Sequence, residues 1–294
     1  TLEGALDAYS RLENVAESLS QKQPEKVSFD TKEALKAYIK DYCEKHGWDS
    51  DLNHIDVSKI TDMSQLFMGT IFTGDISKWD VSNVRNMSHM FRNTQFNGDL
   101  SGWNTSKVED MQGMFSYSKF NQPIGNWDTS NVKKMLGMFS YSKFNQPIGN
   151  WNVSNVKDMS YMFMESPFNH PIGNWNTGNV KDMSFMFYFT PFNQPLDNWN
   201  TSKVESMAYM FYYNRKFNQP LNNWDVSNVK YMSYMFKLSP FNHSINNWNV
   251  SNVKDMTAMF ASNKALEKMP DWKLNPSVVL EDMFKGTKFE GQEE

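Results

Sequence analysis

The chain has 294 residues, of which 39% are hydrophobic and 15% aromatic, and its formal net charge is −4 at pH 7. This near-neutral, slightly acidic balance supplies no basic stripe for phosphates, which argues against a nucleic-acid partner. The single cysteine, Cys43, excludes a disulfide framework and a cysteine-based zinc cluster.

The sequence also lacks the motifs of metal-binding, nucleotide-binding and catalytic sites. None of the five histidines stands in a metal-ligand spacing, and no phosphate-binding loop, dinucleotide fingerprint or nucleophile elbow occurs. No apolar run approaches the length of a membrane span. We therefore expect no catalytic residues, no cofactor, no metal and no membrane insertion of this chain.

Residues 1–50 predict two amphipathic helices. The second is expected to begin at Asp30 as N-cap, with Glu33 completing a capping box, and to end at Gly47. Its predicted apolar face comprises Leu35, Tyr38, Ile39 and Tyr42. The apolar face of the first comprises Leu2, Leu6, Tyr9, Leu12, Ala16 and Leu19. We expect the second helix to cover one end of the following region, while the first either joins that cap or serves dimerisation or a partner.

From about position 51 the chain is built of sequence repeats, and the length of one repeat is the distance along the chain from Trp127 to Trp151. Repeats of this length are typical of solenoid proteins. Nine of the ten tryptophans lie on one lattice, whose only longer step, by one position, runs from Trp199 to Trp224, and 18 of the 21 methionines fill two positions of the same unit. The unit reads F-N-x-P-[IL]-x-x-W-[DN]-[VT]-S-x-V-x-x-M-x-x-M-F. Repetition of this kind is typical of stacked units that continue one core.

Two spacings within a unit predict its local structure. Ile148, Trp151 and Val153 point one way, which predicts a short strand over 148–153. After the N-cap Ser154, the apolar positions 156, 159, 162 and 163 fit one or two turns of α- or 3₁₀-helix. The crossover between parallel strands is expected to be right-handed.

The segments "FNQPIGNWNVSNVKDMSYMF" (144–163) and "WDVSNVKYMSYMF" (224–236) resemble the BspA-like leucine-rich-repeat surface proteins of bacteria, known largely from mycoplasma-type lipoproteins. The fold class is accordingly an α/β solenoid, a right-handed leucine-rich-repeat-like array of ten units with an α-helical N-terminal cap. Each unit is expected to pair a short parallel strand with a short α- or 3₁₀-helical turn. The expected divisions are a helical cap over 1–50, the solenoid over 51–289 and a tail over 290–294. The resemblance implies a surface-exposed, adhesive protein.

Two surfaces are candidates for binding. One holds aromatic residues that vary between units just before the second Met and shortly after it: Tyr161, Phe185, Tyr188, Tyr209, Tyr212 and Tyr234, with Phe189 and Tyr213 as an extension of the patch. The other holds asparagines on both sides of the Trp, expected to form polar ladders along the array: Asn150, Asn152, Asn174, Asn176, Asn198 and Asn200. The competing explanations are that a loop covers the aromatics and that the asparagines only bond to each other.

These patterns predict a non-enzymatic binding protein, a bacterial surface or secreted adhesin that engages a protein or glycan at a cell surface. Two alternatives remain open. The chain could associate with itself through the first helix or the ends of the array, as a structural surface protein. It could also be a soluble inhibitor or immunity-type protein that binds one partner protein.

Overall fold

A computed structural model describes residues 4–11 and 25–292. Residues 4–11 are helical, and all of them are exposed. The predicted apolar positions 2, 12, 16 and 19 of this first helix lie outside the described residues. The remaining regular elements are strand β1 (Val27–Ser28), one long helix (Lys32–His46) and strand β2 (Ile55–Asp56), and the two strands pair in parallel with Val27 opposite Ile55.

The long helix packs on the start of the repeats. Its N-cap is Thr31, whose side-chain oxygen accepts a hydrogen bond from the Ala34 N–H, so the prediction of Asp30 was wrong by one residue. Asp30 instead pairs with Lys59 at 2.8 Å. The helix ends at Gly47, as predicted, because φ is +102° there, a conformation that favours glycine. Leu35, Ile39 and Cys43 are buried, while Tyr38 and Tyr42 pack against the core from its edge.

The repeats form an array in which each unit is hydrogen-bonded to the next. Isolated parallel bridges join equivalent backbone positions of successive units, in the series Asp62, Asn86, Asp110, Lys134, Asp158, Asp182, Ser206, Tyr231, Asp255 and Val279. On the C-terminal side of each bridge, alternate N–H groups donate to carbonyls of the following unit. In one unit, for example, the Met159 N–H donates to Asp182 O at 3.0 Å, and that of Tyr161 to Ser184 O at 2.9 Å.

The interior of the unit differs from the prediction. Residues 148–153 contain a turn at 149–150 and no strand pairing, and in 156–163 the bridge residue Asp158 is followed by turns from position 160 rather than by a helix. The Met162 N–H closes a turn on Met159 O, and its third residue, Tyr161, has φ of +60°. A positive φ at that position is the signature of a type II turn, normally built with glycine or asparagine. The short strand and short helix of the predicted unit were therefore wrong.

Aromatic stacking fills the core. Trp103, Trp127 and their equivalents lie parallel, with ring centroids 6.5 Å apart for this pair, and the indole N–H of Trp151 donates to Ile124 O at 3.0 Å. Two columns of phenylalanine run beside the tryptophans, as in Phe139 and Phe163, whose centroids are 5.9 Å apart. The repeated methionines are buried with them. The prediction that the lattice residues continue one core is confirmed by this packing.

A buried asparagine accommodates the one longer step of the lattice, from Trp199 to Trp224. Most units place Ser or Thr where the chain turns from the second Met toward the next Phe; there Ser142 Oγ donates to Phe139 O and accepts from the Phe144 N–H. At the long step Asn214 takes this position, and its side chain bonds both to the previous unit and to the backbone of its own turn. Its amide donates to Phe192 O and Thr190 Oγ1, while its oxygen accepts from the N–H groups of Lys216 and Phe217. The longer side chain thus spans the extra residue, Arg215.

Candidate interaction surface

Two columns of backbone positions with positive φ run along the array and decide where its exposed aromatic rings lie. The first column stands just before the second Met of each unit and holds Gln65, His89, Gly113, Gly137, Tyr161, Phe185, Tyr209, Tyr234, Ala258 and Asp282. The second stands four residues later and holds Gly69, Asn93, Tyr117, Tyr141, Glu165, Phe189, Tyr213, Leu238, Ser262 and Gly286. Because the backbone is the same in every unit, side chains in one column are held parallel.

In four consecutive units the first column is aromatic, and the rings stack face to face. The centroids of Tyr161 and Phe185 are 4.7 Å apart, those of Phe185 and Tyr209 4.4 Å, and those of Tyr209 and Tyr234 4.5 Å. The planes of each pair lie within 11° of parallel. Tyr161 is 37% exposed and the other three rings are half-buried. All four residues therefore keep part of their surface accessible to solvent.

Two further ring pairs extend this stack sideways. Tyr188 stacks on Tyr212 with centroids 5.0 Å apart, and Phe189 stacks on Tyr213 at 3.9 Å. Contacts such as that between Phe185 and Tyr188, at 5.7 Å, connect these pairs to the column. We call the whole set the aromatic surface; its members are Tyr161, Phe185, Tyr188, Phe189, Tyr209, Tyr212, Tyr213 and Tyr234.

Cations close the C-terminal edge of the aromatic surface. The Arg215 guanidinium lies 4.0 Å from the centre of the Tyr213 ring, and the Lys237 ammonium lies 5.1 Å from that of Tyr234. Burial, together with a smaller contribution from Tyr234 beside it, raises the pKa of Tyr209 to about 12. Burial also raises the pKa values of Tyr161 and Tyr188 above the usual range. The surface is therefore neutral in its interior at physiological pH, with hydroxyl groups that can donate hydrogen bonds.

The structure brings together the six candidate aromatic residues and also Phe189 and Tyr213, which the sequence predicted as an extension of the patch, and it adds the two cations. The sequence does not reveal that Phe189 and Tyr213 adopt positive φ in the second column. The signal in the sequence is that both units carry two adjacent aromatics after the Met-Phe pair, in "MFYF" (186–189) and "MFYY" (210–213).

The asparagines beside the Trp do not form the expected ladders. Asn152, Asn176 and Asn200 are exposed, and each side-chain oxygen accepts a hydrogen bond from the backbone N–H two residues later. Asn150, Asn174 and Asn198 are exposed, and in the described residues no hydrogen bond joins the six into a series. The first three stabilise turns locally, as Asn side chains do in Asx-turns.

Asparagine ladders do exist elsewhere in the unit. The Asn that follows the core Phe accepts, through its side chain, the backbone N–H of the equivalent Asn one unit later, as Asn121 does from Asn145 at 2.8 Å. The Asn before the Val of the motif donates its amide to a carbonyl of the previous unit, as Asn155 does to Ser130 O at 2.7 Å. These groups satisfy backbone between units, so they are structural.

The described residues hold no group of three or more His, Cys, Asp or Glu side chains arranged to bind a metal ion. Among them, no helix has both the length and the hydropathy needed to cross a membrane. The thiol of Cys43 is buried, and that burial raises its pKa to about 11.

Comparison with known protein families identifies the repeats. The model of a family described as "Mycoplasma protein of unknown function, DUF285" matches residues 35–143, 116–212 and 188–293. The chain belongs to this family. Its resemblance to mycoplasma-type repeat proteins is thereby confirmed at the level of a repeat array. Searches of curated proteins and of solved structures give no significant match.

Proposed function

We propose that this DUF285 protein is a non-enzymatic binding protein, a bacterial surface or secreted adhesin whose aromatic surface engages a macromolecule on another cell. The observation that carries the proposal is the group of eight rings at the outside of the array, a column of four with two stacked pairs beside it, of which Tyr161 and Phe189 are 37% and 41% exposed. Aromatic side chains grouped on a surface mark interaction sites, and Tyr is frequent among residues that dominate binding energy.

Rigidity supports this function. Neighbouring rings hold each other in place, and the backbone beneath them is bonded to the next unit at every second N–H group. A partner therefore does not have to order these side chains, which otherwise costs about 0.5–1.5 kcal/mol for each immobilised side chain.

We further propose that the array is a right-handed solenoid of ten units, closed at its N-terminal end by the helix Lys32–His46 and related to the BspA-like leucine-rich-repeat surface proteins. The ten bridge positions from Asp62 to Val279 support the unit count. The contacts of Lys32 with Asp62 and Ser64 support the cap. The relation to BspA-like proteins rests on the repeated motif, and the coil lacks the strand of a leucine-rich repeat at the Trp.

The test compares binding of the labelled protein to intact eukaryotic cells by flow cytometry. One variant carries Tyr161→Gly, Phe185→Gly, Tyr209→Gly and Tyr234→Gly. Glycine already occupies this column at Gly113 and Gly137 with φ of +58° and +59°, so the backbone accommodates it. We expect this four-glycine variant to lose most cell binding.

A matched control is Tyr117→Gly with Tyr141→Gly. This pair also stacks, with centroids 4.5 Å apart, but it lies in the second column of earlier units, outside the aromatic surface. We expect it to bind cells like the parent. Equal binding by the parent and the four-glycine variant, with both folded, would refute the proposed role of the aromatic surface.

Self-association is a second candidate function, favoured by one observation. The helical residues 4–11 expose 64% of Leu6 and 65% of Tyr9, so this segment offers an apolar face without a partner among the described residues. Sedimentation velocity across a wide range of protein concentration tests it. A size that grows with concentration and returns to the monomer in a Leu6→Ser, Tyr9→Ser variant would support self-association.

A further inference from the structure

We infer that the partner of the aromatic surface is a polypeptide, and that it stacks one planar side chain on the open face of Tyr161 above Gly137. This inference rests on the proposed function and names the class of its ligand. It follows from which parts of the rings are accessible.

Most ring faces on the aromatic surface are already occupied. Phe185 and Tyr209 each have a stacked ring on both sides, at 4.4 to 4.7 Å. The last rings of two columns, Tyr234 and Tyr213, are covered by Lys237 and Arg215. What these rings present to solvent is mainly their edges and, for the tyrosines, their hydroxyl groups.

Accessible edges select the class of partner. A sugar binds an aromatic side chain chiefly by laying its C–H groups on the electron-rich face of the ring, and most of these faces are covered. Ring edges carry partial positive charge, so they suit backbone carbonyls and the faces of other aromatic rings in an edge-to-face arrangement. The hydroxyls of Tyr188 and Tyr212 have no hydrogen-bond partner in the described residues, and they can donate to carbonyls as well. A polypeptide supplies both groups.

In the first column, Tyr161 keeps one open face, because the unit before it has no side chain at that position. Gly137 stands there with φ of +59°, and a Cβ placed on it would meet only Ser140 Oγ at 3.4 Å and Tyr161 Cβ at 3.8 Å. One unit earlier the equivalent space above Gly113 is filled by the His89 ring, which would lie 2.3 Å from such a Cβ. Tyr161 has a single ring neighbour, Phe185, and it is the most exposed ring of its column.

The open space above Gly137 therefore lies in line with the column of rings that begins at Tyr161. A planar side chain from the partner would lie on Tyr161 as Tyr161 lies on Phe185, at about 4.5 Å, which is the separation at which aromatic pairs are favourable. Phe, Tyr, Trp and the Arg guanidinium are the protein side chains of this shape.

The test uses two probes on the intact chain: a phage-displayed library of random peptides and a printed array of oligosaccharides. We expect the library to yield peptides rich in Trp, Tyr, Phe or Arg, and the strongest is then synthesised for affinity measurement. Gly137→Tyr fills the open place, in a backbone conformation that Tyr161 already adopts, and should weaken peptide binding at least roughly tenfold. The matched control, Gln65→Tyr, introduces the same side chain in the same column at φ of +58°, three units before Gly137, and should leave binding unchanged.

The possible outcomes distinguish failure of this inference from failure of the proposed function. Unchanged peptide affinity in Gly137→Tyr, selection of peptides without planar side chains, or failure of both probes to bind would overturn the inference. Binding of oligosaccharides that the four-glycine variant loses would overturn the polypeptide partner and leave the aromatic surface as the binding site. Peptide binding that survives in the four-glycine variant would overturn both proposals.

Discussion

Replacing Asn214 by the serine of other units should destabilise the array at the long step. Asn214 is fully buried and makes four hydrogen bonds, two through its amide and two through its oxygen. The shorter Ser can reach one of the two N–H groups, which leaves Phe192 O and one backbone N–H buried and unpaired. At about 1–3 kcal/mol for each of these two unpaired groups, Asn214→Ser should lower the free energy of unfolding by about 2–6 kcal/mol.

A second variant separates the hydrogen bonds from the identity of the side chain. Asn214→Ser combined with deletion of Arg215 changes "YYNRKF" (212–217) to a sequence ending in Tyr-Ser-Lys-Phe, the same as residues 141–144. In that context a serine satisfies the turn, since Ser142 bonds both Phe139 O and the Phe144 N–H. We expect the double variant to recover stability to within about 1 kcal/mol of the parent.

Urea unfolding followed by tryptophan fluorescence measures both variants, because Trp199 and Trp224 lie on the two sides of the step. Repeat arrays can unfold in parts, so hydrogen exchange at the amides of Lys216 and Phe217 reports the local opening free energy alongside it. The reasoning fails if Asn214→Ser is as stable as the parent, or if deleting Arg215 lowers its stability further.

Three other predictions concern single side chains. Trp151→Phe removes the donor to the buried Ile124 carbonyl and should cost about 2–4 kcal/mol in urea unfolding; a cost below about 0.5 kcal/mol would show that the indole N–H is dispensable. The pKa of Tyr209, raised by burial to about 12, favours the neutral phenol in the fold, so its stabilisation is complete below pH 10 and is lost as pH rises toward 12; tyrosinate absorbance should show a late-ionising group that Tyr209→Phe removes. Burial lowers the pKa of His54, whose Nε2 lies 3.1 Å from the Tyr38 hydroxyl. The contribution of neutral His54 to folding stability is therefore present above about pH 6.5 and is lost as pH falls further. The free energy of unfolding should drop less between pH 7 and 5 in His54→Gln than in the parent, and an equal drop in the two proteins would refute this.

The core was predictable from the sequence because packing repeats with the lattice. Met159, Met162 and Phe163 are fully buried, as their recurrence in nearly every unit indicates. The local structure of the unit was not, because its turns depend on positive φ values at Tyr, Phe and Gln, residues that rarely adopt them. Hydrogen bonds from unit to unit hold these residues in that conformation. The spacing of apolar residues within one unit does not indicate such bonds.

The binding surface was predictable in part for the same reason. Aromatic residues that differ between units at one position, such as Tyr161 and Phe185, indicate a place that packing does not dictate. The stacking that covers their faces, and the open place above Gly137, depend on the distance between units. The predicted asparagine ladders beside the Trp were wrong because Asn152 bonds within its own turn. A repeated asparagine that bonds within its turn cannot be distinguished, from the sequence, from one that bonds to the next unit.

Because each unit bonds to the next at equivalent positions, the gene can change in length more easily by whole units than by single residues. Nearly every hydrogen bond that leaves a unit ends one unit away, so duplication of a whole unit would lengthen the chain without disturbing any existing contact, as the identical segments 116–127 and 140–151 illustrate. A single inserted residue, by contrast, required Asn214 to bridge it. Unequal recombination between units therefore offers this lineage a way to lengthen or shorten its row of exposed rings in whole steps, with the reach of the surface set by copy number rather than by point mutation.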